Sequence, residues 1–197
     1  MDGYRVAETI ELGNICGIWK LSRARARLNS FEPSMSARDA SMVNVGERAP
    51  DVQLVDTDRK PAKISDFRGK KTVLAFFPGA FTGVCTKEMC TFRDGLSKFN
   101  TLGANVVAIS VDSPFSNKVF SETNKFGFRV LSDYSREAVR SYGIPLENFA
   151  GLKGYTAAKR SVFILDKDGT VRFKWVSDDP TIEPNYDQVL KELEKVA

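Results

Sequence analysis

The chain has 197 residues, of which 42% are hydrophobic and 27% are charged, a composition that indicates one globular domain with an appendage. The 29 basic and 25 acidic residues leave a net charge of +4, too small and too dispersed to indicate a nucleic-acid-binding protein. No run of residues approaches the roughly 18 apolar positions that cross a membrane. We therefore expect neither nucleic acid nor a membrane as a partner.

The chain contains no histidine, and this limits the chemistry it can perform. Nucleophile pairs of the Cys–His and Ser–His kind are excluded, and so are zinc sites that need histidine. The three cysteines, Cys16, Cys85 and Cys90, are too few for a four-thiolate zinc site or a secreted disulfide scaffold. We expect no metal or cofactor. The low cysteine content and the lack of a secretory-signal pattern predict a reducing, cytoplasmic location.

The first 42 residues differ from the rest of the chain. A loose helical stripe of apolar residues precedes a basic run over 20–27 and a stretch rich in serine and proline. One interpretation is a targeting or membrane-surface helix. The other, which the acids among these bases favour, is a poorly ordered extension or residues upstream of a start at Met42. We predict an extension over 1–42 and a folded domain over 43–197.

Regular secondary-structure patterns begin after Val43. Short apolar or alternating runs predict strands, and apolar residues at helical spacing predict helices. The predicted strands cover 51–55, 72–77, 105–111, 128–131, 160–165 and 170–176, and the predicted helices run from about 82 to Gly103 and over 113–126, 135–142 and 186–196. Strand–helix–strand order followed by a terminal hairpin and helix predicts an α/β domain with a mixed sheet.

The residues that suggest chemistry lie where the strand over 72–77 gives way to a Pro/Gly loop and then to a helix. Cys85 falls in the first turn of that helix, where unpaired N–H groups and the positive end of the helix dipole favour the thiolate. The hydroxyl of Thr82 can reach the sulfur or a bound oxygen, or it can simply cap the helix. A lone cysteine is often a small core residue, but this position favours a nucleophile.

The segment Pro-Gly-Ala-Phe-Thr-Gly-Val-Cys that ends at Cys85 resembles the peroxiredoxin motif Pro-x-x-x-Thr-x-x-Cys. The resemblance extends over about residues 43–197. Cys85-Thr-Lys-Glu-Met-Cys90 is similar to the Q-type, or bacterioferritin-comigratory, subgroup, whereas 76–85 and the later half are more similar to the alkyl hydroperoxide reductase E subgroup. The resemblance to peroxiredoxins implies a thioredoxin-like α/β fold, with a central mixed β-sheet flanked by helices. It also implies that the protein is a thiol peroxidase for hydrogen peroxide and small organic hydroperoxides.

The resemblance also implies roles for individual residues. Cys85 would be the peroxidatic thiolate, and Pro78 would shield its sulfur from water. Thr82 and Arg160 would hydrogen-bond the peroxide oxygens, and Glu88 would orient Arg160. Plainer alternatives remain: a helix cap for the threonine, a surface charge for the arginine, and a favourable interaction with the helix dipole for the glutamate.

Cys90 is the expected resolving cysteine, with a thioredoxin-like protein as electron donor. On an intact helix, residues five apart have Cα atoms about 8–9 Å apart and point about 140° away from each other. A disulfide requires a separation below roughly 7 Å, so the start of the helix would have to unwind. Alternatively, Cys90 is a packing residue and the protein is a one-cysteine enzyme that uses an external thiol. Cys16 is a weaker candidate partner.

Other classes of function compete with a peroxidase. A thioredoxin-like dithiol oxidoreductase usually carries Cys-x-x-Cys, whereas four residues separate Cys85 from Cys90. A non-enzymatic redox sensor would use oxidation of Cys85 to change a partner surface, and a structural protein would carry inert cysteines. The sequence is compatible with either a monomer or a homodimer.

Overall fold

The structure is a computed structural model, and it describes residues 41–197. This part of the chain forms nine strands and five α-helices. The strands are β1 (Gln53–Asp56), β2 (Pro61–Lys63), β3 (Lys71–Phe76), β4 (Ala104–Ser110), β5 (Arg129–Ser132), β6 (Pro145–Leu146), β7 (Ala157–Ala158), β8 (Ser161–Leu165) and β9 (Val171–Val176). The helices are α1 (Gly83–Asp94), α2 (Leu96–Thr101), α3 (Pro114–Asn124), α4 (Glu137–Ser141) and α5 (Tyr186–Lys195). Two short 3-10 helices cover Ile64–Phe67 and Phe149–Gly151.

A seven-stranded sheet with the order β2-β1-β5-β4-β3-β8-β9 forms the centre of the described domain. The three middle strands β5, β4 and β3 are parallel, and the flanking pairs are antiparallel. Along β3, Leu74 and Phe76 belong to one apolar cluster and Val73 and Ala75 to the other, so the strand is buried on both faces. The predicted α/β fold with a central mixed sheet is confirmed.

The prediction of a single helix from about residue 82 to Gly103 is wrong in one respect, because the structure has two helices there. Gly95 separates α1 from α2. Glycine has a low helix propensity, and the apolar spacing continues across it because both helices face the same core. The rings of Phe92 in α1 and Phe99 in α2 lie 5.7 Å apart. The strands β2, β6 and β7 are not predicted from the sequence, because they are too short to show a period.

The extension predicted over 1–42, including Cys16, lies almost entirely outside the described residues and stays a prediction. None of the helices within 41–197 is long and apolar enough to cross a bilayer. At the start of the described range, Val43 is buried and its N–H donates to the carbonyl of Tyr142 at 3.3 Å. Lys174 Nζ donates to Asn44 Oδ1 at 2.8 Å. We therefore propose that the domain starts close to Met42.

A chain that starts at Met42 should fold as the full chain does, because these contacts and every strand of the sheet are retained. We expect the thermal midpoint to change by less than about 4 °C, which corresponds to about 1 kcal/mol for a domain of this size. Differential scanning calorimetry of both chains provides the comparison. A large loss of stability or solubility would show that residues 1–41 contribute to the folded domain.

Candidate active site

Cys85 lies at the junction that the sequence predicted. β3 ends at Phe76, an irregular loop follows, and Cys85 is the third residue of α1. Its side chain is 1% exposed. The sulfur is thus placed in the first turn of a twelve-residue helix, where backbone N–H groups lack helical partners and the dipole is positive.

Arg160 reaches Cys85 from a distant part of the sequence. Its Nη2 lies 3.3 Å from Cys85 Sγ, and both side chains are 1% exposed. The register of the sheet explains this contact between Arg160 and Cys85, because β8 pairs with β3 so that Ser161 lies opposite Phe76. The residue just before β8 therefore lies beside the loop that follows β3. Arg160 is predicted at the start of this strand, and the structure places it immediately before the strand.

The guanidinium of Arg160 is held on several sides. Its Nη1 donates to Glu88 Oε2 in a fully buried ion pair. Its Nε and Nη2 both donate to the carbonyl oxygen of Pro180, at 3.1 and 2.5 Å. These contacts fix the plane of the guanidinium, and Nη2 also lies against the sulfur. Pro180 is not predicted from the sequence, because a main-chain carbonyl from a distant loop leaves no side-chain pattern.

Glu88 lies one turn after Cys85 on α1 and is 0% exposed. Burial raises its pKa to about 7, and the attraction of Arg160 opposes this rise without cancelling it. Its second oxygen, Oε1, has no hydrogen-bond partner within residues 41–197. The buried carboxyl therefore carries a cost in stability, which its ion pair with Arg160 offsets only in part.

This cost should depend on pH. The folded-state pKa of about 7 exceeds the ordinary value of 4.5, so between these values the folded chain binds more protons than the unfolded chain. The contribution of Glu88 to the unfolding free energy therefore falls as pH rises from about 4.5 to about 7. The total decrease is on the order of 3 kcal/mol. Denaturant titrations between pH 4.5 and 8 in a Cys85→Ser background, with and without Glu88→Gln, measure it. Parallel pH curves for the two chains would contradict it.

The remaining motif residues form the loop over 77–82. Pro78 is buried. Thr82 is the residue that precedes α1, with extended backbone, and its carbonyl accepts the N–H of Thr86 at 2.9 Å. Its side chain does not cap the helix and donates from Oγ1 to the carbonyl of Gly79 at 3.1 Å. Phe81 has a φ of 62°, a left-handed conformation that is strained for a bulky side chain.

Cys90 lies in the second half of α1 and is half-buried, with its Sγ 3.8 Å from Asn124 Oδ1 at the end of α3. Arg93 Nη1 donates to the carbonyl of Asn124 at 2.8 Å, so this half of α1 is tied to α3. Both Cys85 and Cys90 are free thiols. Because α1 is continuous between them, their Cα atoms are separated by about 8–9 Å, beyond the reach of a disulfide.

The structure thus brings together Cys85, Arg160 and Glu88, with Thr82 and Pro78 on the adjoining loop, and it keeps Cys90 apart. A thiol at a helix start, beside a fixed cation, can act as a nucleophile towards a substrate that releases an oxyanion as its leaving group. No histidine is present to act as a base, so the groups that can stabilise negative charge here are these fixed charges and dipoles. On a sheet of this topology, the site defines a thiol peroxidase of the thioredoxin-like class.

Comparison with known proteins gives the same result. A profile of the AhpC/TSA family matches residues 45–174. Peroxiredoxin Q, chloroplastic, from Gentiana triflora is 35% identical over 182 residues, covering 91% of this chain and 81% of the relative. Putative peroxiredoxin MT2597 of Mycobacterium tuberculosis is 37% identical over 64% of this chain and 80% of its own length. The chain belongs to the AhpC/TSA family of peroxiredoxins.

Solved structures agree with this assignment. Peroxidoxin BcpB from Mycobacterium tuberculosis superposes with a TM-score of 0.68 at 29% identity, covering 80% of this chain and 99% of the other. The bacterioferritin comigratory protein of Xanthomonas campestris gives 0.64 at 26% identity, covering 73% and 90%. The resemblance noted in the sequence is therefore confirmed, and the protein is a thiol peroxidase.

Proposed function

We propose that Cys85 is the peroxidatic nucleophile and that hydrogen peroxide and small organic hydroperoxides are its substrates. The observation that carries this assignment is the 3.3 Å contact between Arg160 Nη2 and Cys85 Sγ at the start of α1. The thiolate attacks one peroxide oxygen, a sulfur–oxygen bond forms and the O–O bond breaks. With one proton taken up, the products are Cys85 sulfenic acid and water or an alcohol.

The surrounding residues fit this step. Negative charge develops on the leaving oxygen, and Arg160 and the helix N–H groups are donors fixed in advance around the sulfur. Glu88 positions Arg160 through the buried ion pair. Thr82 contacts the peroxide through its hydroxyl, and the buried Pro78 limits the access of water to the sulfur. Reduction of alkyl peroxides is the activity named for the Xanthomonas campestris protein, and it supports the choice of substrates.

For recycling, we propose that Cys90 attacks the Cys85 sulfenic acid, forming a disulfide and releasing water, and that a thioredoxin-like donor then reduces it. Within residues 41–197, Cys90 is the second thiol, and it lies on the same helix. At least the first turn and a half of α1 must unwind before the sulfur atoms can meet. That loss breaks a few backbone hydrogen bonds, each worth about 1 kcal/mol.

One equivalent of peroxide should therefore produce a Cys85–Cys90 bridge together with a partial loss of helical signal. Peptide mapping and far-UV circular dichroism of the same sample measure both. Bridge formation should be slower than sulfenic acid formation, and excess peroxide should overoxidise Cys85 to the sulfinic acid in the interval. Cys90→Ser is the matched control, because it retains Cys85 and lacks the resolving thiol. If this variant turns over as fast as the parent, the protein is a one-cysteine enzyme that uses an external thiol.

We further propose a cytoplasmic enzyme that works as a monomer or homodimer. Free thiols at Cys85 and Cys90 suit a reducing compartment, although the plant relatives are named as chloroplastic. Exposed apolar side chains, among them Phe81 on the loop and Phe115 on α3, offer area for self-association. Sedimentation velocity of the reduced and oxidised chain distinguishes the two assembly states.

A further inference from the structure

One peptide group of the active-site loop is hydrogen-bonded on both sides. The carbonyl of Gly79 accepts a hydrogen bond from Thr82 Oγ1 at 3.1 Å. The N–H of the same peptide group, which belongs to Ala80, donates to Asp112 Oδ2 at 2.8 Å. The Thr82 hydroxyl is thus connected through a single peptide plane to a carboxylate thirty residues further along the chain.

Asp112 is itself fixed by neighbouring elements of the sheet. It lies just after β4, and its Oδ2 also accepts from Ser110 Oγ at 2.9 Å. Its main-chain carbonyl accepts from Ser132 Oγ at the end of β5. Ser110 Oγ also lies 3.0 Å from the Oδ1 of Asn117 on α3, and Ser110, Asn117 and Ser132 are at most 1% exposed. The carboxylate is therefore a rigid anchor for the loop.

The chain of hydrogen bonds determines the role of the Thr82 hydroxyl. A hydroxyl has one proton to donate and two lone pairs that accept. The anionic carboxylate polarises the peptide group, which strengthens the bond from Thr82 to the carbonyl of Gly79. With its proton committed there, Oγ1 presents lone pairs to an incoming ligand. A hydroperoxide, which carries an O–H, is the ligand that such an acceptor binds.

We propose that Asp112 is a positioning residue for the peroxidase reaction, holding the Gly79–Ala80 peptide so that the Thr82 hydroxyl accepts the proton of the hydroperoxide. The inference rests on the proposed role of Cys85 and Thr82. A purely structural alternative is that Asp112 only joins the loop to β4. The two differ in two respects, because a positioning role is selective for peroxide and depends on the Thr82 hydroxyl.

The test is a double-mutant cycle with Asp112→Asn and Thr82→Val, read by two reactions of Cys85. Stopped-flow oxidation by hydrogen peroxide reports on the whole site, and alkylation by iodoacetamide at fixed pH reports on the thiolate alone. We expect Asp112→Asn to slow the peroxide reaction roughly tenfold, which is less than the cost of about 10²-fold for misplacing a positioned group by 1 Å. The rate of alkylation should change by less than about twofold. In the Thr82→Val background, Asp112→Asn should slow oxidation by less than about twofold.

Ser110→Ala is the matched control, because it removes the other hydrogen bond to Asp112 Oδ2 and leaves the bond to Ala80 in place. It should slow the peroxide reaction less than Asp112→Asn does. Equal slowing of peroxide oxidation and alkylation by Asp112→Asn, or an equal effect with and without the Thr82 hydroxyl, would overturn the inference. If Thr82→Val reacts as the parent does, the proposed role of Thr82 fails and this inference fails with it.

A measurement on the unaltered chain covers the case in which variants at 112 do not fold. The Ala80 amide proton lies in an irregular loop outside the helices and strands, so its protection depends on the bond to Asp112. Hydrogen–deuterium exchange followed by nuclear magnetic resonance should show it exchanging at least about tenfold more slowly than an unprotected amide. Exchange at the unprotected rate would overturn the inference.

Discussion

Replacement of Cys85 by serine should abolish peroxide consumption. A serine hydroxyl stays protonated at neutral pH even beside Arg160, because helix dipole and guanidinium together cannot ionise so weak an acid, and no histidine base is present. Peroxide loss can be followed directly with excess dithiothreitol as reductant. Cys90→Ser is the matched control, since it also removes one thiol but lies away from Arg160, and its first turnover should match the parent.

Cys16→Ser should likewise leave the reaction nearly intact. Substantial catalysis by the Cys85→Ser chain would mean that a different thiol reacts with peroxide. The nucleophile would then have to be sought among the two remaining cysteines by mass spectrometry after a single peroxide addition.

Replacement of Arg160 by methionine should slow oxidation of Cys85 by roughly 10²–10³-fold, as expected for loss of a donor to the developing oxyanion, or on the order of 2–4 kcal/mol in the barrier. Methionine retains much of the length of the side chain but carries no charge. Stopped-flow oxidation of the reduced chain measures the effect. The matched control is Arg172→Met, because Arg172 pairs with Asp166 at the far end of the β8–β9 hairpin and should leave the rate unchanged.

Stability must be separated from catalysis in this variant. Removing Arg160 leaves Glu88 without its ion-pair partner in a fully buried position, and it removes the attraction that opposes the rise in the pKa of this carboxyl. The carboxyl should therefore be protonated at neutral pH, and the loss of stability should grow as pH rises further. The double variant Arg160→Met/Glu88→Gln has no carboxyl to titrate at this position, so its stability should not fall in this way. It should not recover the rate of peroxide oxidation. Recovery of the rate would mean that Arg160 acts only by keeping the site folded.

The parts of the site that could be predicted from the sequence are local. The apolar run of β3, the Pro/Gly loop and the position of Cys85 in the first turn of α1 all follow from neighbouring residues. The meeting of Arg160 with Cys85 depends on the pairing of β8 with β3, and only a family resemblance suggested it beforehand. The carbonyl of Pro180 could not be predicted, because the loop that carries it is placed by tertiary packing.

The break between α1 and α2 shows a similar limit. Phe92 and Phe99 keep helical spacing across Gly95, so the apolar pattern continues through a position where the helices separate. Glycine was the available signal, but a single glycine inside a helical pattern is often tolerated. The side-chain bond from Thr82 to Gly79 also competes with the cap that sequence statistics favour, and only the loop conformation decides between them.

The hydrogen bond from Arg93 to the carbonyl of Asn124 bears on the end from which α1 can unwind. It fastens the second half of α1 to α3, while the first turn and a half of α1 is tied to Arg160 at Cys85 and Glu88. If those contacts with Arg160 are released, α1 unwinds from its amino-terminal end, and in a bridge between the two thiols Cys85 is the residue that moves. Its sulfur would leave the buried pocket and arrive at the half-exposed Cys90. The oxidised sulfur would then be reachable by a large protein reductant, whereas the reduced sulfur is reachable only by a molecule as small as a peroxide.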